Sequence, residues 1–215
     1  MLRSGQMAHK QGDHVCPPWI GLVSLLNPLR RLLHSPRSVL GPYVRPGMTV
    51  VEPGPGMGYF TLEAARLVGD TGRVIALDIQ ETMLHAVRRR AERAGLASRI
   101  ELRTVTPRDL GMHRKAIADL FFAFYMVHEV PDPRRFFEQA FACLKSGGTL
   151  LFVEPSGHVS EELFDRELGY ATKAGFKVRG RSKIRWSRAA VLEKASPRGR
   201  GRTAVPRRAI AKKKG

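Results

Sequence analysis

Val50-Val51-Glu52-Pro53-Gly54-Pro55-Gly56-Met57-Gly58-Tyr59-Phe60 is the stretch that decides the fold of this chain. Residues 48–52 read as a short buried strand that ends in a carboxylate. Glycines then recur at every second position, and residues 60–68 show helical spacing through Phe60, Ala64, Leu67 and Val68. Glycine lets a chain turn sharply, and its missing Cβ lets a ligand touch backbone. The N–H groups that open the following helix face that ligand. A glycine-rich turn is weak evidence alone; here it has a strand before it and a helix after it. A second buried strand, residues 73–78, ends in Asp78, 20 residues beyond Gly58. An acid in that place is the expected partner of ribose hydroxyls.

Outward from this unit, strands and helices alternate. Residues 80–94 read as a helix with Met83, Leu84, Val87 and Ala91 inward, a solvated outer face of Arg88, Arg89, Arg90 and Arg93, and Gly95 at C′. Residues 99–105 and 119–125 read as the third and fourth strands, and residues 133–144 as a helix opened by proline. Ser146-Gly147-Gly148 reads as a turn, residues 149–154 as the fifth strand and 161–174 as a helix. Residues 176–181 and 184–193 read as two final strands, joined closely enough to run antiparallel. This alternation specifies βαβ units and a mostly parallel sheet.

Residues 1–15 form a polar leader without the apolar run of a secretory signal. Between Trp19 and Leu40, apolar clusters (Leu22, Leu26, Leu33) are broken by Pro28 and Pro36. They suggest short helices, too small for their own core, so residues 1–40 are expected to be a leader plus a helical cap or lid. Residues 41–195 form the main domain. Residues 196–215, built of Pro, Gly, Arg and Lys, read as a disordered basic tail.

The 215 residues are 43% hydrophobic, enough for one domain with tails, and no apolar run reaches the length of a membrane span. The net charge of +18 is uneven: residues 173–215 hold 16 Lys/Arg against one acid, Glu193, whereas residues 1–172 hold 21 against 18. Affinity for polyanions therefore belongs to the C-terminal end, whose tail has no aromatic residue for base stacking and so supplies only non-specific contact. Two cysteines, Cys16 and Cys143, point to a reducing compartment and a cytoplasmic location. His14-x-Cys16 with His9 and His34 lacks metal-ligand spacing, and no metal site is read.

The turn separates two cofactor classes. A dinucleotide fingerprint is G-x-G-x-x-G with a pyrophosphate over the helix end. This turn is G-x-G-x-G preceded by Glu52, which repels a pyrophosphate and suits a cationic amino-acid moiety. A nucleoside at Asp78 and an ammonium near Glu52 describe S-adenosylmethionine (SAM).

With those residues in place, the segment from about Leu40 to Glu193, about 150 of 215 residues, resembles class I SAM-dependent methyltransferases, particularly the small type-11-like group. Glu52 to Gly58 matches that family's first motif, and Val74-Ile75-Ala76-Leu77-Asp78 its ribose-binding strand. Val127-His128-Glu129-Val130-Pro131-Asp132-Pro133, then Leu144-Lys145-Ser146-Gly147-Gly148-Thr149-Leu150, resembles its post-β4 helix and β5 entry. The resemblance implies a Rossmann-like α/β fold: seven strands, mostly parallel, helices on both faces and a C-terminal antiparallel hairpin. It implies that Glu52, Gly54, Gly56 and Gly58 cradle the methionine end, that Asp78 takes the ribose, and that Ile79 and Met83 line the adenine. Aligned on Leu110, Thr106 and Pro107 stand where the family often has Asp-Ala. Either Thr106 makes a weaker contact to the adenine amino group, or Asp109 substitutes, or the loop differs.

His128 follows the fourth strand, at the edge where ligands bind, and is a general base, a substrate contact or a loop-packing residue. Glu154, ending the fifth strand, is a candidate substrate-side acid, with His158 nearby; Tyr125 is a pocket wall, and Cys143 belongs to the core. The expected activity is methyl transfer from SAM to a small-molecule acceptor. The alternatives are a nucleic-acid methyltransferase anchored by the tail and a non-catalytic SAM-binding protein. Phe124-Tyr125-Met126-Val127 stands where a base-gripping Asn-Pro-Pro-Tyr-type tetrapeptide is expected, which disfavours the first. The intact glycine turn and Asp78 disfavour the second.

Overall fold

The computed structural model describes residues 34–112 and 115–196; the leader, residues 1–33 of the expected cap and the tail beyond Ser196 lie outside them. Strand β1 (Thr49–Pro53) is buried along its whole length, including Thr49 and the Glu52 that ends its short apolar run. It pairs in parallel with β2 (Arg73–Asp78) on one side and β4 (Ala118–Phe124) on the other. β3 (Ile100–Thr104) pairs with β2, and β5 (Leu144–Pro155) with β4, again in parallel. The last two strands, β6 (Phe176–Arg181) and β7 (Ser187–Lys194), are antiparallel to each other, and β7 is antiparallel to β5. The seven-stranded order is β3-β2-β1-β4-β5-β7-β6. The chain steps outward through β2 and β3, then crosses back to β4 on the far side of β1. Ligands in open α/β sheets bind at such a reversal, beyond the carboxyl ends of the strands.

Side-chain alternation divides the core between two faces. Val51, Ile75, Phe121, Leu150 and Phe152 face one way, into a cluster with Phe136 and Phe137 of α4 (Pro133–Cys143) and Phe164 of α5 (Glu161–Lys173). Val50, Val74, Leu120, Phe122 and Leu151 face the other way, against Leu40 of α1 (Pro36–Leu40) and Leu62, Ala65 and Val68 of α2 (Thr61–Val68). Helix α3 (Glu81–Arg93) packs on β2 and β3. Asp132 caps α4 by accepting from Arg135 N, 3.1 Å, and Ser160 caps α5 by accepting from Leu163 N, 3.2 Å. Cys143 is fully buried, as expected of a core residue.

Three details differ from the sequence reading. β5 begins at Leu144, directly after α4; Ala118 pairs with Leu144 and Leu120 already with Thr149. The expected Ser-Gly-Gly turn is therefore an irregularity in that strand, with Gly147 at φ +77°. β7 begins at Ser187 rather than residue 184, because Trp186 at φ +58° breaks the extended backbone. Arg90 is not solvated: it is half-buried and donates to the Met57 carbonyl in the glycine turn.

Gly58 has φ +80°, and a Cβ there meets Leu62 Cδ1 at 2.9 Å and Val87 at 3.3 Å. Gly58→Ala is expected to cost more than about 1 kcal/mol through backbone strain and overpacking. That lowers Tm by about 2–4 °C or more. Gly157→Ala, with open space around it, leaves Tm unchanged in the same calorimetric series.

Candidate active site

A cleft of about 420 Å³ opens at the reversal between β1 and β4. One end is built by the turn after β1, Asp78 and Met83; the other by His128, Val130 and His158. Gly54 and Gly56 line it, at φ +65° and +53°. Gly54 N donates to the Leu77 carbonyl, 2.8 Å, tying the turn to β2. A Cβ on Gly54 would lie 3.3 Å from Met126 Cβ, so the missing side chain lets the β1 turn and the loop after β4 approach each other. Glu52 lines the cleft and is buried. Gly58 does not line it. Its open side faces Leu62 and Val87, so it serves helix packing rather than the expected ligand cradle.

Asp78 lies at the end of β2, 8% exposed. Its Oδ1 accepts from Gln80 N, 2.9 Å. Burial pushes its carboxyl up to about 6, against the lowering effect of the Gln80 and Ile79 backbone N–H groups. At neutral pH that burial costs about 3 kcal/mol of folding stability. A ligand with hydroxyl donors offsets such a cost, and titratable groups held this way concentrate at functional sites. Ile79 and Met83 add an apolar shelf beside the carboxylate.

Thr106 lines the same end, in a tight turn where Thr106 N donates to Asp109 O, 3.1 Å, and Asp109 N to Thr106 O, 3.2 Å. The Asp109 carboxylate accepts from Gly111 N, 2.8 Å, and faces Arg135, 3.8 Å. Gln139 of α4 holds this loop: its Oε1 accepts from Leu110 N, 2.8 Å, and its Nε2 donates to Arg108 O, 3.1 Å. Nothing local in the sequence marks Gln139, because its role depends on where α4 docks.

At the other end a 3-10 turn, Val127–Glu129, presents His128. His128 Nδ1–H donates to Glu154 Oε2, 2.6 Å, and Val127 N donates to Glu154 Oε1, 2.8 Å. Burial alone would lower the imidazole; the hydrogen bond and charge of Glu154, with Glu129 and Glu167, outweigh it and hold His128 above its ordinary value. Glu154 itself has no exposed surface and does not line the cleft, contrary to its expected contact with an acceptor. Strand alternation explains this: Leu150, Phe152 and Glu154 share one face, and that face is covered by α5. Glu167 of α5 is also fully buried, and burial, then the charge of Glu154, pushes it up to about 8. His158 packs edge-on against His128, ring centroids 5.1 Å apart.

Tyr125 lines the cleft at φ +59°. Its hydroxyl meets Ser187 Oγ at 2.6 Å and His34 Nε2 at 3.2 Å. His34 Nε2 donates to Arg185 O, 2.7 Å, and the Tyr59 hydroxyl donates to His34 O, 3.0 Å. The start of the described chain is thereby pinned at the cleft edge.

Residues 45–185 match the family model described as a methyltransferase domain. The chain belongs to the SAM-dependent methyltransferases. It is 31% identical over 120 residues to the ubiquinone/menaquinone biosynthesis C-methyltransferase UbiE of Enterobacter sp. (strain 638), covering 56% of this chain and 47% of that one. The methyltransferase thus spans about half the length of the curated relatives it matches. Its fold is that of a SAM-dependent methyltransferase from Aquifex aeolicus (TM-score 0.75, 21% identity, 84% of this chain and 100% of that one). It also superposes on geranyl diphosphate C-methyltransferase from Streptomyces coelicolor A3(2), solved with Mg2+, geranyl diphosphate and S-adenosyl-L-homocysteine (TM-score 0.65, 13% identity, 87% and 89% coverage). The cleft of this methyltransferase fits SAM on its own geometry: two side-chain-free positive-φ positions in the turn after β1, and the buried Asp78 carboxylate beside an apolar shelf.

Asp78→Asn is expected to weaken S-adenosyl-L-homocysteine binding by about 1.5–3 kcal/mol, the worth of charge-assisted hydrogen bonds. In the wild type, hydroxyl donors favour the ionised carboxylate, so affinity falls as pH drops through about 6. The Asn variant loses that dependence. Calorimetric titration across that range measures both effects.

Proposed function

We propose that this methyltransferase transfers the methyl group of SAM to an apolar small molecule at a carbon or oxygen atom that carries a proton, with His128 as the base. The observation that carries this reading is the buried Glu154 carboxylate on the Nδ1 of His128, a cleft residue that follows β4 and so stands on the other side of β1 from Asp78 of β2. We assign the methionine end to Glu52, Gly54 and Gly56, the ribose to Asp78, the adenine to Ile79, Met83 and Thr106, and a side wall to Tyr125. Bound SAM supplies an electrophilic methyl on a sulfonium. The chain's share is to hold donor and acceptor in line, which contributes about 7–11 kcal/mol, and to receive the proton.

With Nδ1–H committed to Glu154, the neutral imidazole has its lone pair on Nε2, which lies 3.8 Å from Oε1 of Glu129, another cleft-lining residue. Glu154 then stabilises the imidazolium that forms. The walls near His128 include Met126, Val130, Pro131, Phe136 and Pro155, which suits an apolar acceptor. Among the described residues the cleft lining also carries Glu52, Asp78, Asp109, Glu129 and Asp132 against one Lys/Arg, Arg108. That balance suits a sulfonium and disfavours a phosphodiester chain, so the small-molecule reading stands ahead of the nucleic-acid one. In this reading the tail, residues 196–215, makes non-specific contacts with polyanions and takes no part in transfer. Residues 1–40 act as a cap, supported by His34 being buried against Tyr59 and Tyr125. The cytoplasm suits the free, buried Cys143.

His128→Ala is expected to reduce kcat by about 10²-fold or more, with S-adenosyl-L-homocysteine affinity unchanged. The neutral imidazole is the base, so the wild-type rate rises with pH through the elevated His128 pKa. Glu154→Gln removes the elevating charge and moves that limb to lower pH. A wild-type rate and profile in both variants would remove His128 from the mechanism. Replacing His34 by Ala removes its side-chain contacts with Arg185 O and the Tyr125 hydroxyl at the cleft edge and is expected to raise KM for the acceptor more than it lowers Tm.

A further inference from the structure

The β6–β7 hairpin stands outside the site just described. Seven Lys/Arg and no acid lie between Glu167 and Glu193. Arg179 pairs with Glu193 and Arg181 with Asp165, and Arg188 donates to Ser156 O, 2.8 Å, with the charge of Glu162 nearby, whereas Lys177, Lys183 and Arg185 make no ion pair among the described residues. Edge strands carry lysine and arginine to block edge-to-edge pairing, which accounts for part of this charge. It does not account for Trp186, 65% exposed at the connection, or Val178, 43% exposed on β6. The connection also borders the cleft mouth. Ser156 N donates to Trp186 O, 3.0 Å, and Ser187 Oγ meets the Tyr125 hydroxyl at 2.6 Å; Tyr125 and the neighbouring Pro155 line the cleft.

We propose that this hairpin is a docking surface for an anionic lipid bilayer, which places the cleft mouth against the layer that holds the acceptor. Cations demand an anionic partner, and an exposed indole and valine among them demand an apolar layer within a side chain's length of that charge. The interface of a bilayer containing acidic lipids offers both. A nucleic acid offers the charge, but a strand led from the hairpin into the cleft meets the carboxylate-rich lining. This is attachment to the surface: no helix among the described residues is long and apolar enough to cross a membrane. The inference rests on the reading of the acceptor as an apolar small molecule.

The test uses the full chain carrying Trp19→Phe, which leaves Trp186 as the one indole. Vesicles of phosphatidylcholine alone and of phosphatidylcholine with phosphatidylserine are the probes, read by co-sedimentation and by tryptophan emission. The expected result is retention on the acidic vesicles only, with a blue shift of Trp186, both lost at high salt. Lys183→Glu with Arg185→Glu is expected to weaken retention by about tenfold or more, leaving S-adenosyl-L-homocysteine affinity unchanged. Retention without a Trp186 shift assigns the binding to the tail and overturns the proposal. So does absence of retention, or quenching of Trp186 by single-stranded RNA with no response to vesicles. Binding is read without turnover, so failure here leaves the role of His128 standing, and loss of that role leaves docking standing.

Discussion

The ligand edge depends on how the chain leaves β1. Gly54, Gly56 and Gly58 all take positive φ, which side-chain-bearing residues adopt only at a cost in strain. Through these positions the backbone turns from a fully buried strand into α2, and of the turn's residues Gly54 and Gly56 meet the cleft without a side chain. The three glycines divide the work. Gly54 lets the loop after β4 come close, Gly56 lines the cleft, and Gly58 lets α2 and α3 meet beneath the turn. Arg90 ties the same turn to α3 from below, so the helix that follows Asp78 also holds the loop that follows Glu52. The two acids are set relative to each other by this arrangement rather than by the parallel pairing of their strands alone.

At the opposite end the organising feature is buried charge. Glu154 and Glu167 are both fully buried beneath the imidazole of His128. Buried carboxylates are tolerated where a hydrogen bond, a partner charge or a proton compensates them. Glu154 gains two kinds of compensation, from the His128 ring and from the Val127 backbone N–H. Glu167 is shifted toward its protonated form. The cleft lining thus brings together the buried Asp78 carboxylate on the β2 side and the His128 imidazole on the β4–β5 side, with apolar side chains among the rest of the lining.

Much of this was legible in the sequence, because the signals were local. Strands buried on both faces show as short apolar runs, and Glu52 and Asp78 stand at the ends of two of them. The glycine turn and the His128 segment also occupy consecutive residues. The rest depended on long-range placement. Glu154 has the look of a strand-end acid, but strand parity turns it under α5, away from the cleft. Arg90 sits in an arginine run that reads as solvated, and only the docking of α3 shows it bonded to Met57. Gln139 matters because α4 lies beside the Thr106 loop. No spacing rule in one sequence reports the azimuth of a helix on a sheet.

The most direct test of the central assignment is a crystal structure with S-adenosyl-L-homocysteine. The ribose hydroxyls are expected on the Asp78 carboxylate, the ligand's amino group near Glu52, its backbone contacts at Gly54 and Gly56, and its sulfur directed toward the side of the cleft that holds His128. A ligand seated elsewhere, or one whose ribose lies away from Asp78, would contradict it.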